Sequence, residues 1–210
     1  MTKKERAAEA VKILKELYPD AVCSLTASDP FELLVAVRLS AQCTDARVNL
    51  VTPALFERYK TIEDYAAADV KEIEKYIHSC GFYKHKAESI VGMAQKILSD
   101  FDGRVPDNIE DLITLPGVGR KTANLIVGDV YGKEAIVVDT HCIRITNRIG
   151  LVSEKDPKKI EFALKKIIPA DEGSAFCHRI VHFGRDVCSA RKPLCDACRM
   201  KEICKRVGVK

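Results

Sequence analysis

A chain of 210 residues, 47% hydrophobic and 30% charged, has the composition of an ordinary folded protein and can bury ~70% of the surface it exposes when unfolded. No apolar run approaches the ~20 residues of a membrane-spanning helix, and the start, Met-Thr-Lys-Lys-Glu-Arg, lacks the apolar core of a signal peptide, so a cytoplasmic protein with no targeting signal is expected. A net charge of +4 is too small to name a partner, and nine cysteines, an odd number, exclude a fully paired disulfide framework.

Taken in chain order, Ala7, Ala10, Val11, Leu14 and Leu17 fall on one face of a helix over 3–17, which Tyr18-Pro19 stops. Asp29-Pro30-Phe31-Glu32 starts the next, with Asp29 as cap, Pro30 in the first turn and Glu32 completing a capping box. Leu33, Leu34, Val35, Val37 and Leu39 make that helix buried on most sides. Thr44 and Thr52-Pro53 read as successive helix starts, and Asp69 with Glu72 as another. The helix from Asp69 is expected to stop at Cys80-Gly81, with Gly81 just beyond its end. Phe82-Tyr83 then begins a loop, and Lys86 to Phe101 forms a helix closed by Gly103. Asp107 is the expected cap of the following helix. Residues 135–138, Ala-Ile-Val-Val, are the one strand candidate. A helix over 140–149 ends at Gly150, another runs from Asp156-Pro157 toward Pro169, and the last long helix ends near Phe183-Gly184. The chain is read as all-α, without linker or internal repeat.

Two stretches carry chemistry. Leu115-Pro116-Gly117-Val118-Gly119-Arg120-Lys121-Thr122-Ala123 reads as a hairpin between two helices, spanning about 107–130. A residue before proline is pushed out of the helical region, and the two glycines permit positive φ and close approach of another backbone. The second helix then presents bare N–H groups, a site for anions such as phosphate. A nucleotide-hydrolase phosphate loop would need Gly-Lys-Thr after a longer spacer, and Arg120 breaks that pattern. From the hairpin alone, an inert nucleic-acid clamp with a solvated Lys121 is an equal alternative.

The second stretch is Cys188-x6-Cys195-x2-Cys198-x5-Cys204. Four thiolates within 17 residues can converge on one centre, and zinc and iron–sulfur clusters both accept four cysteines. The other five cysteines, Cys23, Cys43, Cys80, Cys142 and Cys177, are scattered through helical segments, where thiols act as small core residues. Residues 178–210 hold nine lysines and arginines, Arg191 and Lys192 among them, against three acids. A segment of that density can follow a phosphate backbone, or it can be a solvated tail. His178 and His182 stand four apart, but Arg179 sits where a zinc protease needs Glu, so a structural pair is expected.

The hairpin, the cysteine spacing, Leu39-Ser40-Ala41-Gln42, Gly81-Phe82-Tyr83 and Val138-Asp139-Thr140-His141 occur in one order, and together they resemble the endonuclease III family of helix–hairpin–helix DNA glycosylases. The resemblance covers nearly the whole chain. It implies two helical lobes flanking a DNA-binding cleft: a barrel over 21–133 carrying the hairpin, and a second lobe from 1–20 plus 134–210 with the cluster loop 188–204. It implies one 4Fe-4S cluster on Cys188, Cys195, Cys198 and Cys204, holding Arg191 and Lys192 against DNA phosphates. It further implies that Lys121 and Asp139 are the catalytic pair, that Gln42 fills the gap left by a flipped nucleotide, and that residue 82 wedges the opposite strand. Phe82 departs here from the leucine common in relatives. Gly117, Gly119, Arg120 and His141 are implied DNA contacts.

The expected partner is double-stranded DNA with damaged bases or abasic sites, bound by a monomer with access to the nucleoid and none to a membrane. The expected activity is removal of oxidised pyrimidines with β-elimination at the abasic site. A monofunctional adenine glycosylase relative is disfavoured by the presence of Lys121 and by Val37 where that subfamily's catalytic acid aligns. A non-catalytic DNA-binding module is the alternative from another class. A lysine nucleophile must be neutral, and from an ordinary pKa of ~10.4 neutrality at pH 7 costs about 4.6 kcal/mol. A helix N-terminus offsets only ~0.3–2 kcal/mol of this, so desolvation must supply much of the rest. A nearby carboxylate works the other way on the lysine. It can instead accept the proton and stabilise positive charge on the sugar.

Overall fold

The computed structural model describes residues 1–209, and among these there are helices and turns but no β-ladder. The α-helices are α1 (Lys3–Leu17), α2 (Pro30–Ser40), α3 (Asp45–Arg58), α4 (Ile62–Ala66), α5 (Val70–Ile77), α6 (Tyr83–Asp100), α7 (Ile109–Leu112), α8 (Arg120–Asp129), α9 (Thr140–Ile149), α10 (Pro157–Lys165) and α11 (Gly173–Asp186). The chain divides into two compact units: Ser24–Tyr131, and Met1–Cys23 together with Gly132 onward.

In the continuous unit α6 is the hub, with α2, α4 and α5 packed on it, while α2 also packs against α3 and α8. α2 is buried on nearly every side, from Phe31 through Leu33, Leu34, Val35, Ala36 and Val37 to Leu39. Its cap forms as expected at Asp29, whose Oδ1 accepts from Phe31 N and Glu32 N at 2.7 and 2.9 Å. The capping box does not close. Glu32 reaches one residue further back, and its Oε2 accepts from the amide and hydroxyl of Ser28 instead.

Other boundaries move for identifiable reasons. Thr52-Pro53 does not start a helix: α3 runs through Pro53 from its Thr44 cap. Val48, Thr52 and Leu55 are buried on one face of α3, and that burial outweighs the ~3 kcal/mol an internal proline costs. α4, with a capping box between Thr61 and Asp64, is a short helix the apolar pattern did not reveal. α6 begins at Tyr83 rather than Lys86. Gly81 does not take the left-handed conformation; Phe82 does, with φ 59°. Asn108, not Asp107, caps α7 by accepting from Asp111 N at 2.9 Å.

In the discontinuous unit α1 and α9 both pack against α11. The stretch 135–138, expected as a strand, is buried but forms no β-ladder among the described residues; Val137 N–H donates to the Cys177 sulfur at 3.2 Å. α11 continues through Gly184 to Asp186. Gly184 is a crossing point rather than an end. A Cβ there would strike His141, and would lie 2.9 Å from both Arg144 Nη2 and Ile145 Cδ1 on α9.

Candidate nucleic-acid interface and thiolate centre

The hairpin lies between the end of α7 and the start of α8. Leu115 O accepts from Val118 N at 3.1 Å, closing the turn, and Gly117 sits at φ +77°. A Cβ on Gly117 would fall 2.6 Å from Arg38 Nε and 2.9 Å from Ser89 Cβ, so conformation and space both demand glycine. Gly119 departs from expectation. It is extended, at φ −96°, with open space where a side chain would go, and it is the N-cap of α8 without any capping side chain. The first-turn N–H groups of such a helix have no intrahelical acceptor, which suits an anion.

Arg120 and Lys121 are the first two residues of α8. Lys121 is exposed, and its ammonium makes no hydrogen bond or ion pair among the described residues. Beneath the turn, Arg38 donates from Nη2 to Ser89 Oγ at 3.1 Å, while its Nε is buried without an acceptor. Burial pulls the Arg38 pKa down, yet the guanidinium places a cation directly under the hairpin.

Gln42 and Phe82, the two residues expected to enter the base stack, share a backbone peculiarity. Both are non-glycine residues at left-handed φ, 54° and 59°. Each such conformation costs of order 1–3 kcal/mol and persists only where the surroundings enforce it. Both residues are exposed, Phe82 by 64%, and their loops are neighbours, since a Cβ on Gly81 would stand 3.7 Å from the Gln42 carbonyl oxygen. Below them Lys86, 1% exposed, donates from Nζ to Leu39 O at 2.8 Å. That tie fastens the end of α2 to the start of α6. Lys86 was missed in the sequence, although it lies on the same helical face as Ile90, Met93 and Ile97.

In the other unit Asp139 is the N-cap of α9, its Oδ1 accepting from Cys142 N at 2.7 Å. Its second carboxylate oxygen makes no hydrogen bond among the described residues, so capping uses only part of the group. His141, two residues on, has its Nδ1 3.1 Å from Arg144 Nη2. Arg144 also donates to the carbonyls of Gly184 and Cys188, linking α9 to the cysteine loop.

The four cysteines line one pocket with Phe183, Val187, Leu194 and Met200, and none forms a disulfide. Among the described residues no three side chains are drawn together around a single ion; the four sulfurs stand around the pocket. The surroundings suit a bound, electron-rich sulfur centre. Arg148 Nη1, Met200 N and Arg206 N each point at a cysteine sulfur, those of Cys188, Cys198 and Cys204, all at 3.4 Å. Burial pushes the Cys198 and Cys204 thiols up, so thiolates there need a cationic centre to hold their charge. Arg148 also donates to the carbonyls of Ser189 and Ala190 at 2.7 and 2.8 Å. It too escaped the sequence reading, and its signal was a charge beside the buried Ile145 and Ile149.

Arg191 and Lys192, between the first two cysteines, are exposed. Arg179 leaves the basic tail: it is buried and paired with Glu172 at 2.6 Å. His182 stacks on Tyr18, with ring centroids 5.7 Å apart.

Residues 35–170 match the model of the HhH-GPD superfamily base excision DNA repair proteins. The chain is 50% identical to endonuclease III of Synechocystis sp. over 97% of its own length and 93% of the relative's. It is 44% identical to the Bacillus subtilis endonuclease III, covering 90% and 87%. Its structure superposes with a TM-score of 0.91 on an endonuclease III solved as a trapped covalent intermediate with DNA, 42% identical, covering 98% of this chain and 97% of the other. The ordered set of hairpin, Asp139 cap and four-cysteine pocket thus stands in a chain that belongs to the endonuclease III family.

Proposed function

We propose that this chain is a bifunctional DNA glycosylase and abasic-site lyase of base excision repair that removes oxidised pyrimidines, working as a monomer in the cytoplasm at the nucleoid. The observation that supports it best is Lys121: an exposed, unpaired amine in the first turn of the hairpin's second helix, in a chain similar throughout to a protein trapped covalently on DNA. The amine attacks the anomeric carbon of the damaged nucleotide, the base departs, and a Schiff base remains. Proton loss at the neighbouring sugar carbon then expels the 3′ phosphate by β-elimination. Because Lys121 is exposed in the free protein, docked DNA must provide the desolvation that favours its neutral form.

Asp139 keeps one oxygen on the α9 amide and offers the other to the proton released in the attack and to positive charge on the sugar. Gln42 and Phe82, held in strained and exposed conformations, replace the stacking lost when a nucleotide is flipped. The hairpin amides with Arg120, and the exposed Arg191 and Lys192, grip phosphates, and His141 adds a DNA contact. Cys188, Cys195, Cys198 and Cys204 would hold one 4Fe-4S cluster, which supplies a rigid cross-link for the loop rather than a reacting group.

Lys121→Ala and Asp139→Asn test the assignment. Lys121→Ala leaves Gly117 and Gly119 in place, so it should bind damaged duplex, yet it should neither cut nor be trapped on it by borohydride. Asp139→Asn keeps a capping side chain and should slow base excision more than cleavage at a preformed abasic site. Cutting and trapping by Lys121→Ala at the wild-type level would show that another group is the nucleophile. Wild-type protein that binds but never excises or traps would make the chain a clamp.

A further inference from the structure

Two cysteines outside the iron–sulfur loop flank the strained loops. Cys43 follows Gln42 and Cys80 precedes Gly81-Phe82, and the loops touch where the Gln42 carbonyl faces Gly81. Cys80 is fully buried, with the Cys43 thiol as its partner, whereas Cys43 is half-exposed. The buried Lys86 ammonium lies close to both sulfurs, and Arg47 is close to Cys80. Reactive cysteines occupy such partly exposed, electropositive surroundings, because a nearby cation favours the thiolate. Cys80 is sealed from solvent and Cys43 is partly exposed, so Cys43 is the one that meets an oxidant first.

We infer that Cys43 and Cys80 form an oxidisable dithiol that hydrogen peroxide converts to a disulfide, pinning the loops that carry Gln42 and Phe82. The Cys43 thiolate attacks one peroxide oxygen. The O–O bond breaks, and the departing oxygen leaves as water once protonated, with sulfur oxidised to a sulfenic acid. The Cys80 sulfur then attacks the Cys43 sulfur, an S–S bond forms, the S–O bond breaks, and a second water departs with the Cys80 proton. Two thiols and one peroxide thus give one disulfide and two waters. The cross-link ties residue 43 to residue 80, so Gln42 and Phe82 lose the independent movement needed to enter a base stack from opposite strands. Duplex capture by the hairpin amides is left intact. A dithiol reductant reverses the change.

The consequence for activity rests on the glycosylase reading; the cross-link itself does not. Cluster-loaded wild-type protein and Cys80→Ala are treated with a small excess of hydrogen peroxide, alkylated, and mapped by mass spectrometry without reduction, while visible absorbance follows the iron. Cys80→Ser is carried alongside in case the alanine variant folds poorly. In wild-type protein a peptide joining Cys43 to Cys80 should appear, excision from damaged duplex should fall at least tenfold with absorbance unchanged, and dithiothreitol should restore it. The variants should keep their activity through the same treatment. Absence of the joined peptide while Cys43 is oxidised, or equal inactivation of wild type and variants, overturns the inference. A cross-link that leaves excision unaltered overturns its role as a switch. Reduced wild-type protein inactive on every lesion would instead count against the glycosylase reading, with the peptide map still deciding the chemistry.

Discussion

Replacing Arg148 with leucine should loosen the cysteine loop while sparing the rest of α9. The guanidinium donates to Ser189 O at 2.7 Å and Ala190 O at 2.8 Å, and reaches the Cys188 sulfur at 3.4 Å. A hydrogen bond to a charged group contributes about 1.5–3 kcal/mol, so the two short bonds together contribute about 3–6 kcal/mol. The freed carbonyls lie at the edge of the loop and regain water, which trims that figure to about 2–4 kcal/mol. Leucine suits the buried position that Arg148 occupies on α9, so the loss should concentrate in the loop. In cluster-loaded protein, Arg148→Leu should release iron to a chelator about 30- to 700-fold faster, the same free energy converted at 1.4 kcal/mol per tenfold, when loop opening limits release. Arg148→Lys, with a compact cation that satisfies one carbonyl, should fall between. Release from Arg148→Leu at the wild-type rate would refute the claim that this side chain fastens the loop.

Gly117→Ala combines a left-handed φ with a Cβ 2.6 Å from Arg38 Nε, and should cost about 1–3 kcal/mol in thermal unfolding and weaken duplex binding in a titration. Ala at both Arg191 and Lys192 should weaken binding to any duplex and flatten the slope of log affinity against log salt by about one unit per lost phosphate contact. The hydrogen bond from Lys15, followed by that from Arg179, holds the Glu172 carboxyl below the usual carboxylate range. Its folded pKa is depressed, so its contribution is complete above the ordinary carboxylate range and fades as pH falls through the folded value. Glu172→Gln should therefore destabilise by about 2 kcal/mol at pH 7, mostly by leaving the buried Arg179 unpaired, and the gap to wild type should shrink below about pH 4 in denaturant titrations.

What the sequence disclosed is what local chemistry dictates. Thr44, Asp69 and Asp156 each cap the helix they were expected to start, because a short polar side chain before an apolar face accepts the first free amides. Tertiary burial decided the misreadings: Pro53 sits inside α3 because a buried face runs past it, and 135–138 is buried without forming a β-ladder, the Val137 amide meeting α11's Cys177. The left-handed residue before α6 was sought at Gly81, where local preference puts it, and was found at Phe82, where local preference opposes it. A violation of that kind is invisible to propensity and expected at working sites. The half-buried Arg38 and the buried Lys86 and Arg148 were legible only as charges on apolar faces, since their partners are backbone carbonyls and a serine that no spacing rule connects to them.

The order in which a ribosome delivers this chain falls across its two units unevenly. Residues 24–131 emerge as one continuous stretch and can pack α2 through α8 as soon as they clear the exit. α1 leaves first and must wait, because its packing partner α11 and the carbonyl of Ile203 that Arg6 Nε reaches at 2.8 Å are made last. At about 5–20 residues per second that wait is roughly 10–40 s, during which the apolar face of Ala7, Ala10, Val11 and Leu14 has no cover from its own unit. The acidic and basic residues that fill the outer face of α1 keep this orphaned segment soluble until the chain's end arrives to receive it.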